Sequence, residues 1–292
     1  MSGPIVSFVC WNRSGLTARN LLALLKTTDD FELHIIDCNS KDNTWDFIET
    51  LEDKRIVEKK RLMFNCGAAY AFNYVMAQRK KGQYFVHFDS DACILTSDWV
   101  TKFMRVMDEF PEVGAACTVC QEKLNTWKNF KLPFNHMERN NVSIEESGGI
   151  LATVCVCIRP ECMDKIGYFN EETGGTDLDY AARIFIGTDY KHAFVPEIIV
   201  DETQKIECED CQMRKLCLLA KDGCFNMHDE NYKHPAFMEE RGHLFHEYIN
   251  DIKLGKRDVY CASIHDEESM KNHYYNREVA LENFKYFVDN GN

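Results

Sequence analysis

The 292-residue sequence has little proline (6 residues) and little glycine (15). That excludes a collagen-like repeat or a proline-rich linker protein. It contains no apolar run of about 18 residues, so no membrane-spanning helix is expected. The opening Met1-Ser2-Gly3-Pro4 carries no basic segment and no small-residue cleavage site, and a strand-like stretch follows at once. No secretory leader is expected from this, and the chain reads as cytoplasmic. Positive charge is also short. Lys and Arg number 34 against 47 Asp and Glu, a net charge of −13. General nucleic-acid binding needs cations along the phosphates, so this balance argues against it. Acidic clusters do suit divalent cations. There is no internal repeat and no low-complexity tract.

Hydrophobic residues make up 45% and charged residues 28% of the chain, as in an ordinary globular protein. Cysteine is plentiful, at 14 residues. Most, such as Cys10, Cys93, Cys155 and Cys157, stand singly in apolar runs, where Cys acts as a small buried hydrophobe. Strands are expected at Ile5–Trp11, Phe31–Asp37, Tyr84–Phe88, 113–119, Ile150–Ile158 and 193–200. Helices are expected at 16–28, 44–52, 67–80, 98–109, 160–166 and 176–187. This alternation predicts an α/β protein with a mixed, mainly parallel sheet flanked by helices. Residues 122–147 read as a long functional loop. In it, Trp127, Phe130, Phe134 and His136 would stack on a bound ligand or pack among themselves.

Ligands of such sheets sit beyond the carboxyl ends of the strands, so the polar residues there matter most. Asp89-Ser90-Asp91 directly follows the strand at 84–88. Two carboxylates at i and i+2 can meet on one Mg²⁺ or Mn²⁺, with phosphate and water completing the shell. On its own the triplet is a plain turn. Asp37 ends another strand and can accept from a ring N–H such as that of uracil; alone it is an Asx turn. Asn65-Cys66-Gly67 opens a small-residue helix whose N-terminus favours phosphate. Gly174-Gly175-Thr176-Asp177-Leu178-Asp179 puts an acidic pair at a helix start, which alone reads as capping.

Taken in order, these segments resemble the family-2 glycosyltransferases of the GT-A fold. Asp37-Cys38-Asn39-Ser40-Lys41-Asp42-Asn43-Thr44 is similar to their D-D-x-S-x-D-x-T segment, with Cys38 in place of the second Asp. Asn65 through Asn73 is similar to N-x-G-x-x-x-A-x-N, and Asp89-Ser90-Asp91 to D-x-D. Ile158–Glu171 resembles the segment before the catalytic motif. Thr176-Asp177-Leu178-Asp179 resembles E-D-x-D, with Thr176 in place of Glu. The resemblance covers roughly residues 4–202.

It implies an inverting, metal-dependent transfer of a sugar from a nucleoside diphosphate donor, expected to be a UDP-sugar, to an acceptor that the sequence does not identify (glycan, protein, lipid or modified base). Asp37 would hold the base, with Trp11, Asn12 and Arg13 beside it. Asn39, Asn65, Gly67, Asn73, Ser90 and Arg183 would also face the donor. Asp89 would meet the ribose or the Mn²⁺ or Mg²⁺, and Asp91 would bind the cation. Asp177 would be the general base, with Asp179 its competitor. Asp201 would be a third metal ligand, with His192 and His228 as alternatives. A nucleotidyltransferase releasing pyrophosphate and a non-catalytic binding module are the other readings.

Composition changes near residue 205, so the chain divides into a catalytic domain at 1–204 and a Cys-rich, mostly helical subdomain at 205–292. Cys208, Cys211, Cys217 and Cys224 have the spacing of a structural Zn²⁺ site. An iron–sulfur cluster or plain thiols are the alternatives. Cys117-x2-Cys120 reads as core, and His243 and His246 as solvated helix residues or a shared site. Residues 267–288 read as a helix packing back on the body, or as a dimer contact.

Overall fold

The computed structural model describes residues 3–129, 134–149, 151–152, 154–174, 176–202 and 235–291. The chain alternates β1 (Ile5–Cys10), α1 (Ser14–Leu25), β2 (Glu32–Asp37), α2 (Thr44–Thr50), β3 (Ile56–Arg61), α3 (Ala68–Met76) and β4 (Phe85–Asp89). Then come β5 (Cys93–Ile94), α4 (Trp99–Glu109), β6 (Val113–Thr118), α5 (Gln121–Asn129), β7 (Phe134–Arg139), β8 (Val142–Ser147) and β9 (Cys155–Ile158). The rest is α6 (Pro160–Ile166), α7 (Asp177–Gly187), β10 (Lys191–Phe194), β11 (Val200–Asp201), α8 (Pro235–Lys253), α9 (Glu267–Asn272) and α10 (Arg277–Gly291).

Among the described residues, nine strands form one sheet in the order β3-β2-β1-β4-β9-β6-β10-β8-β7. β1 is parallel to both β2 and β4, and β2 to β3, while β9 runs antiparallel between β4 and β6. The central strands are buried on both faces, which explains their unbroken apolar runs. Val6, Phe8, Leu33 and Phe88 face a core under α1, α2 and α4. Ile5, Ile36, Phe85 and Val156 face a second core with α3, α6 and α7. The β1, β2 and β4 registers align Cys10 with Asp37 and Val9 with Asp89. Three strand ends carrying polar residues therefore finish side by side.

The structure corrects the sequence reading in places. Residues 122–147 are not a loop: α5 is followed by the β7–β8 hairpin, turned by Asn140 and Asn141 with φ of 48° and 59°. Two left-handed residues in a row suit a tight hairpin turn, and Asn tolerates that conformation. Val142 and Ile144 bury the hairpin against the core. β3 was not anticipated, because only Ile56 and Val57 are apolar before Glu58, Lys59, Lys60 and Arg61. An edge strand needs no apolar face on both sides, and charge there opposes edge pairing. The strand expected at 193–200 is two short ones, broken at Pro196, and the helix expected at 267–288 is two helices.

The C-terminal helices pack on the sheet half. Tyr248, Ile249 and Ile252 of α8 and Cys261 form a small core with Ala182 and Ile186 of α7. Tyr168 donates to Asp266 at 2.8 Å. Cys208, Cys211, Cys217, Cys224 and His228 lie outside the described residues. Among the described residues, no helix is long and apolar enough to cross a membrane.

Candidate active site

A cavity of about 200 Å³ opens at the carboxyl ends of β1, β2 and β4, lined by Trp11, Arg13, Cys38, Ala68, Asp89 and Asp91 among others. That is where an open α/β sheet receives its ligands. One wall is the turn after β1, in which Asn12 and Arg13 adopt left-handed φ of 56° and 59°. The loop after β2 holds this strained turn in place. Asn12 N donates to Ser40 Oγ at 2.7 Å, Lys41 N to Asn12 Oδ1 at 2.8 Å, and Ser14 N to Asp42 Oδ2 at 2.9 Å. Asp42 Oδ1 also accepts from Thr44 N at 3.0 Å, at the start of α2. The Ser, Asp and Thr of this segment thus build the wall.

Asp37, read from sequence as the base-binding carboxylate, lies beside the cavity-lining Cys38 but is not itself among the lining residues. Its side chain is fully buried, accepts from Ser40 N at 3.1 Å and from Ser40 Oγ, and lies 3.5 Å from Arg61 Nε. It fixes the loop, and the neighbouring Cys38 faces the cavity instead. Asn39 continues this turn with a φ of 62°. Burial pushes the Asp37 carboxyl up to about 6 from 3.8, although Ser40 and Arg61 pull it down. The folded state therefore holds this proton more tightly than the unfolded chain. The stability this contributes, at most about 3 kcal/mol, is complete below about pH 4 and lost as pH rises through about 6. Asp37→Asn is expected to lose less stability than the wild type between those pH values, measured as urea midpoints. A pH-independent difference between the two proteins would contradict this.

The opposite wall begins at Asn65, whose Oδ1 accepts from Gly67 N at 3.0 Å. Gly67, at φ 85°, starts α3, and Ala68 reaches the cavity. Asn73, expected to face the donor, has its amide engaged within the protein. It lies inside α3, donates to Phe169 O at 2.8 Å and to Glu171 Oε1 at 2.9 Å, and accepts from Phe169 N at 2.9 Å. It ties α3 to the 169–171 segment.

Asp89 and Asp91 form the floor. Asp89 Oδ1 lies 2.7 Å from Nε2 of the buried His87, and Asp91 Oδ2 lies 3.5 Å from Arg13 Nη2. The Ser90 carbonyl accepts from Asn20 Nδ2 at 2.8 Å, which anchors the turn to α1. Burial raises the Asp89 carboxyl above its usual range, His87 draws it down, and the charges of Asp91 and Asp177 push it up again. Asp177 stands at the start of α7, from which its charge acts on Asp89. Thr176 Oγ1 donates to Asp177 Oδ1 at 2.5 Å, so Thr176 holds the carboxylate where the family has a Glu.

Asp179 and Arg183 point into the protein. Both are fully buried, with Arg183 Nη2 2.7 Å and Nε 2.8 Å from Asp179 Oδ2. Arg183 also donates to the carbonyls of Ile166 and Tyr168, and Asp179 Oδ1 accepts from Asn170 at 3.3 Å. Neither the expected base competitor nor the expected donor contact reaches the cavity. Asp179→Ala is expected to destabilise the fold by about 3–5 kcal/mol, since it strands a buried guanidinium. Urea unfolding measures this, and a loss below about 1 kcal/mol would contradict it.

Pairing of β11 with β5 sets Asp201 opposite Cys93, near Asp91, but its carboxylate lies 3.5 Å from Arg19 and is partly exposed. His192 is buried inside β10, where burial lowers it to about 4. Among the described residues, no group of three His, Cys, Asp or Glu is arranged around one metal position. The oxygen donors Asp89 and Asp91 still fit Mg²⁺ or Mn²⁺, which takes one or two carboxylates and completes its shell from phosphate and water. In the hairpin region, Trp127 and Phe134 pack on Phe194, each at 5.7 Å, and His136 pairs with Glu145 at 3.1 Å.

The glycosyl transferase family 2 model matches residues 6–167, more than half of the chain. No curated protein matches the chain significantly. Solved structures share the fold at low identity. S. aureus TarS 1–349 in complex with UDP matches with TM-score 0.52 and 18% identity over 68% of this chain and 59% of that one. The chain thus spans less than two thirds of the TarS chain. The mannosyltransferase PcManGT from Pyrobaculum calidifontis, in complex with GDP-Man and Mn²⁺, matches with TM-score 0.53 and 17% identity over 85% and 70%. GalNAc-T7 with UDP, GalNAc and Mn²⁺ matches with TM-score 0.50 and 15% identity over 68% and 42%. The ordered motifs, the mainly parallel sheet with its helices and the family match agree: the chain belongs to glycosyl transferase family 2.

Proposed function

We propose that this protein transfers a sugar from a nucleoside diphosphate donor to an acceptor, with inversion and with Mn²⁺ or Mg²⁺. One observation carries the proposal: Asp89 and Asp91 line one cavity at the strand ends, and the charge of Asp177, distant in sequence, acts on Asp89 there. The structural neighbours in complex with UDP or GDP-Man lend it support.

In this reading the nucleoside lies along Trp11 and Cys38, with a UDP-sugar the expected donor. The diphosphate lies between Arg13 and the start of α3, where free backbone N–H groups favour anions. Asp91, helped by Asp89, would hold the cation, which supplies charge neutralisation for the departing diphosphate. Asp177 takes the proton from the acceptor hydroxyl as its oxygen attacks the anomeric carbon from the side opposite the leaving group. His87 keeps one Asp89 oxygen in a fixed orientation.

A thermal-shift screen of nucleotide sugars, with and without Mn²⁺, tests the reading. A ligand that binds the native state alone raises the midpoint. A shift with a nucleoside diphosphate sugar that grows with Mn²⁺ is expected, followed by release of the nucleoside diphosphate. Release of pyrophosphate instead would overturn it.

A further inference from the structure

Helix α10 is the last described element, yet one of its faces meets both the turn that opens α3 and the loop that precedes α7. Ala280, Asn283, Phe284 and Phe287 are buried at helical spacing along that face. On the donor side, a Cβ at Gly67 would lie 2.6 Å from the Phe287 ring, and Phe284 packs edge-on against Tyr70 of α3 with centroids 5.0 Å apart. On the other side, a Cβ at Gly174 would lie 2.7 Å from Asn283 Nδ2, which donates to Glu171 O at 2.9 Å. Gly67 and Gly174 both have positive φ, at 85° and 62°. The two glycines that turn the donor loop and the loop entering α7 are thus each filled by one side chain of the same helix. The chain just before α10 reinforces the second contact. Tyr275 donates to Glu171 Oε2 at 2.6 Å and Asn276 N to Glu172 Oε1 at 2.9 Å.

We propose that α10 is part of the frame of the active site, with Phe287 and Asn283 as positioning residues. Phe287 sets the Gly67 turn and the start of α3, where the diphosphate would lie. Asn283 sets the Gly174 loop, and so the approach of Asp177 to the anomeric carbon. This rests on the donor site proposed above. Neither side chain lines the cavity, so each acts through the loop it holds. A displacement of about 1 Å in such a loop can cost on the order of 100-fold in rate.

The test uses the full chain and a UDP-sugar with Mn²⁺, reading UDP released on transfer to water. Water supplies the attacking oxygen, the anomeric C–O bond to UDP breaks, and Asp177 takes the proton. Asn283→Ala is expected to lower kcat about tenfold with donor KM within about twofold. Phe287→Leu is expected to raise donor KM about fivefold with a smaller change in kcat. The exposed Lys285→Ala, on the outer face of the same helix, should change neither. Circular dichroism and the urea midpoint check that each variant is folded, and Asn283→Asp replaces Asn283→Ala should the latter fail to fold. An active wild type with both kinetic constants unchanged in folded variants overturns the role of α10 alone. A wild type that neither binds UDP with Mn²⁺ nor releases it overturns the donor site, and this inference with it.

Discussion

Asp177→Asn is expected to lower kcat by about two to four orders of magnitude while donor affinity stays within about twofold, the signature of a lost general base. Asp177 opens α7, and its charge helps to raise the Asp89 carboxyl. The Thr176 hydroxyl donates to the Asp177 carboxylate and holds it in one orientation. Asp179, two residues on, has both oxygens committed to Arg183 and Asn170 and cannot take over. The substitution is nearly isosteric at a partly exposed position, so the fold should survive. Unimpaired turnover, or a loss confined to donor binding, would remove Asp177 from the chemical step.

Asp91→Ala should have the other large effect, on binding. Loss of a ligand carboxylate is expected to weaken Mn²⁺-dependent binding of UDP by about 100-fold. The neighbour of Asp91 sharpens the prediction. Arg13 lies 3.5 Å from Asp91 and, released from it, can meet the diphosphate directly. The residual binding should therefore no longer respond to Mn²⁺ and should fall steeply with salt. Calorimetry with UDP, with and without Mn²⁺ and at two salt concentrations, separates these components. Binding that still strengthens with Mn²⁺ as in the wild type would sink the assignment.

Much of the fold was legible because buried parallel strands leave apolar runs and the family's motifs fall at their ends. Ile5–Cys10, Glu32–Asp37 and Phe85–Asp89 could be read that way. β3 could not, since four of its six residues are charged. The β7–β8 hairpin had a signal in Asn140-Asn141, weaker than the usual Asn-Gly. Within the site, residue type was easier to read than side-chain direction. Asp37, Asn73 and Asp179 are the polar residues the motifs call for, yet each is turned inward to hold a loop. For Asp179 the clue was Arg183 at i+4, a spacing that pairs charges along one helix face. His87 was missed for the opposite reason. It looks like one more residue of a buried strand, but the period of two puts it on the same face as Asp89. The contributions of Glu171 and Asn283 depend on chain more than a hundred residues away, which no local pattern records.

The claim that one cation and one activated sugar meet among Asp89, Asp91 and Asp177 is tested most directly by anomalous scattering from crystals grown with Mn²⁺ and UDP. The account predicts a manganese peak bound to Asp91 and to the UDP diphosphate, with the Asp177 carboxylate facing the vacant sugar position. A nucleotide bound elsewhere on the protein, or a manganese peak remote from Asp91, would contradict it.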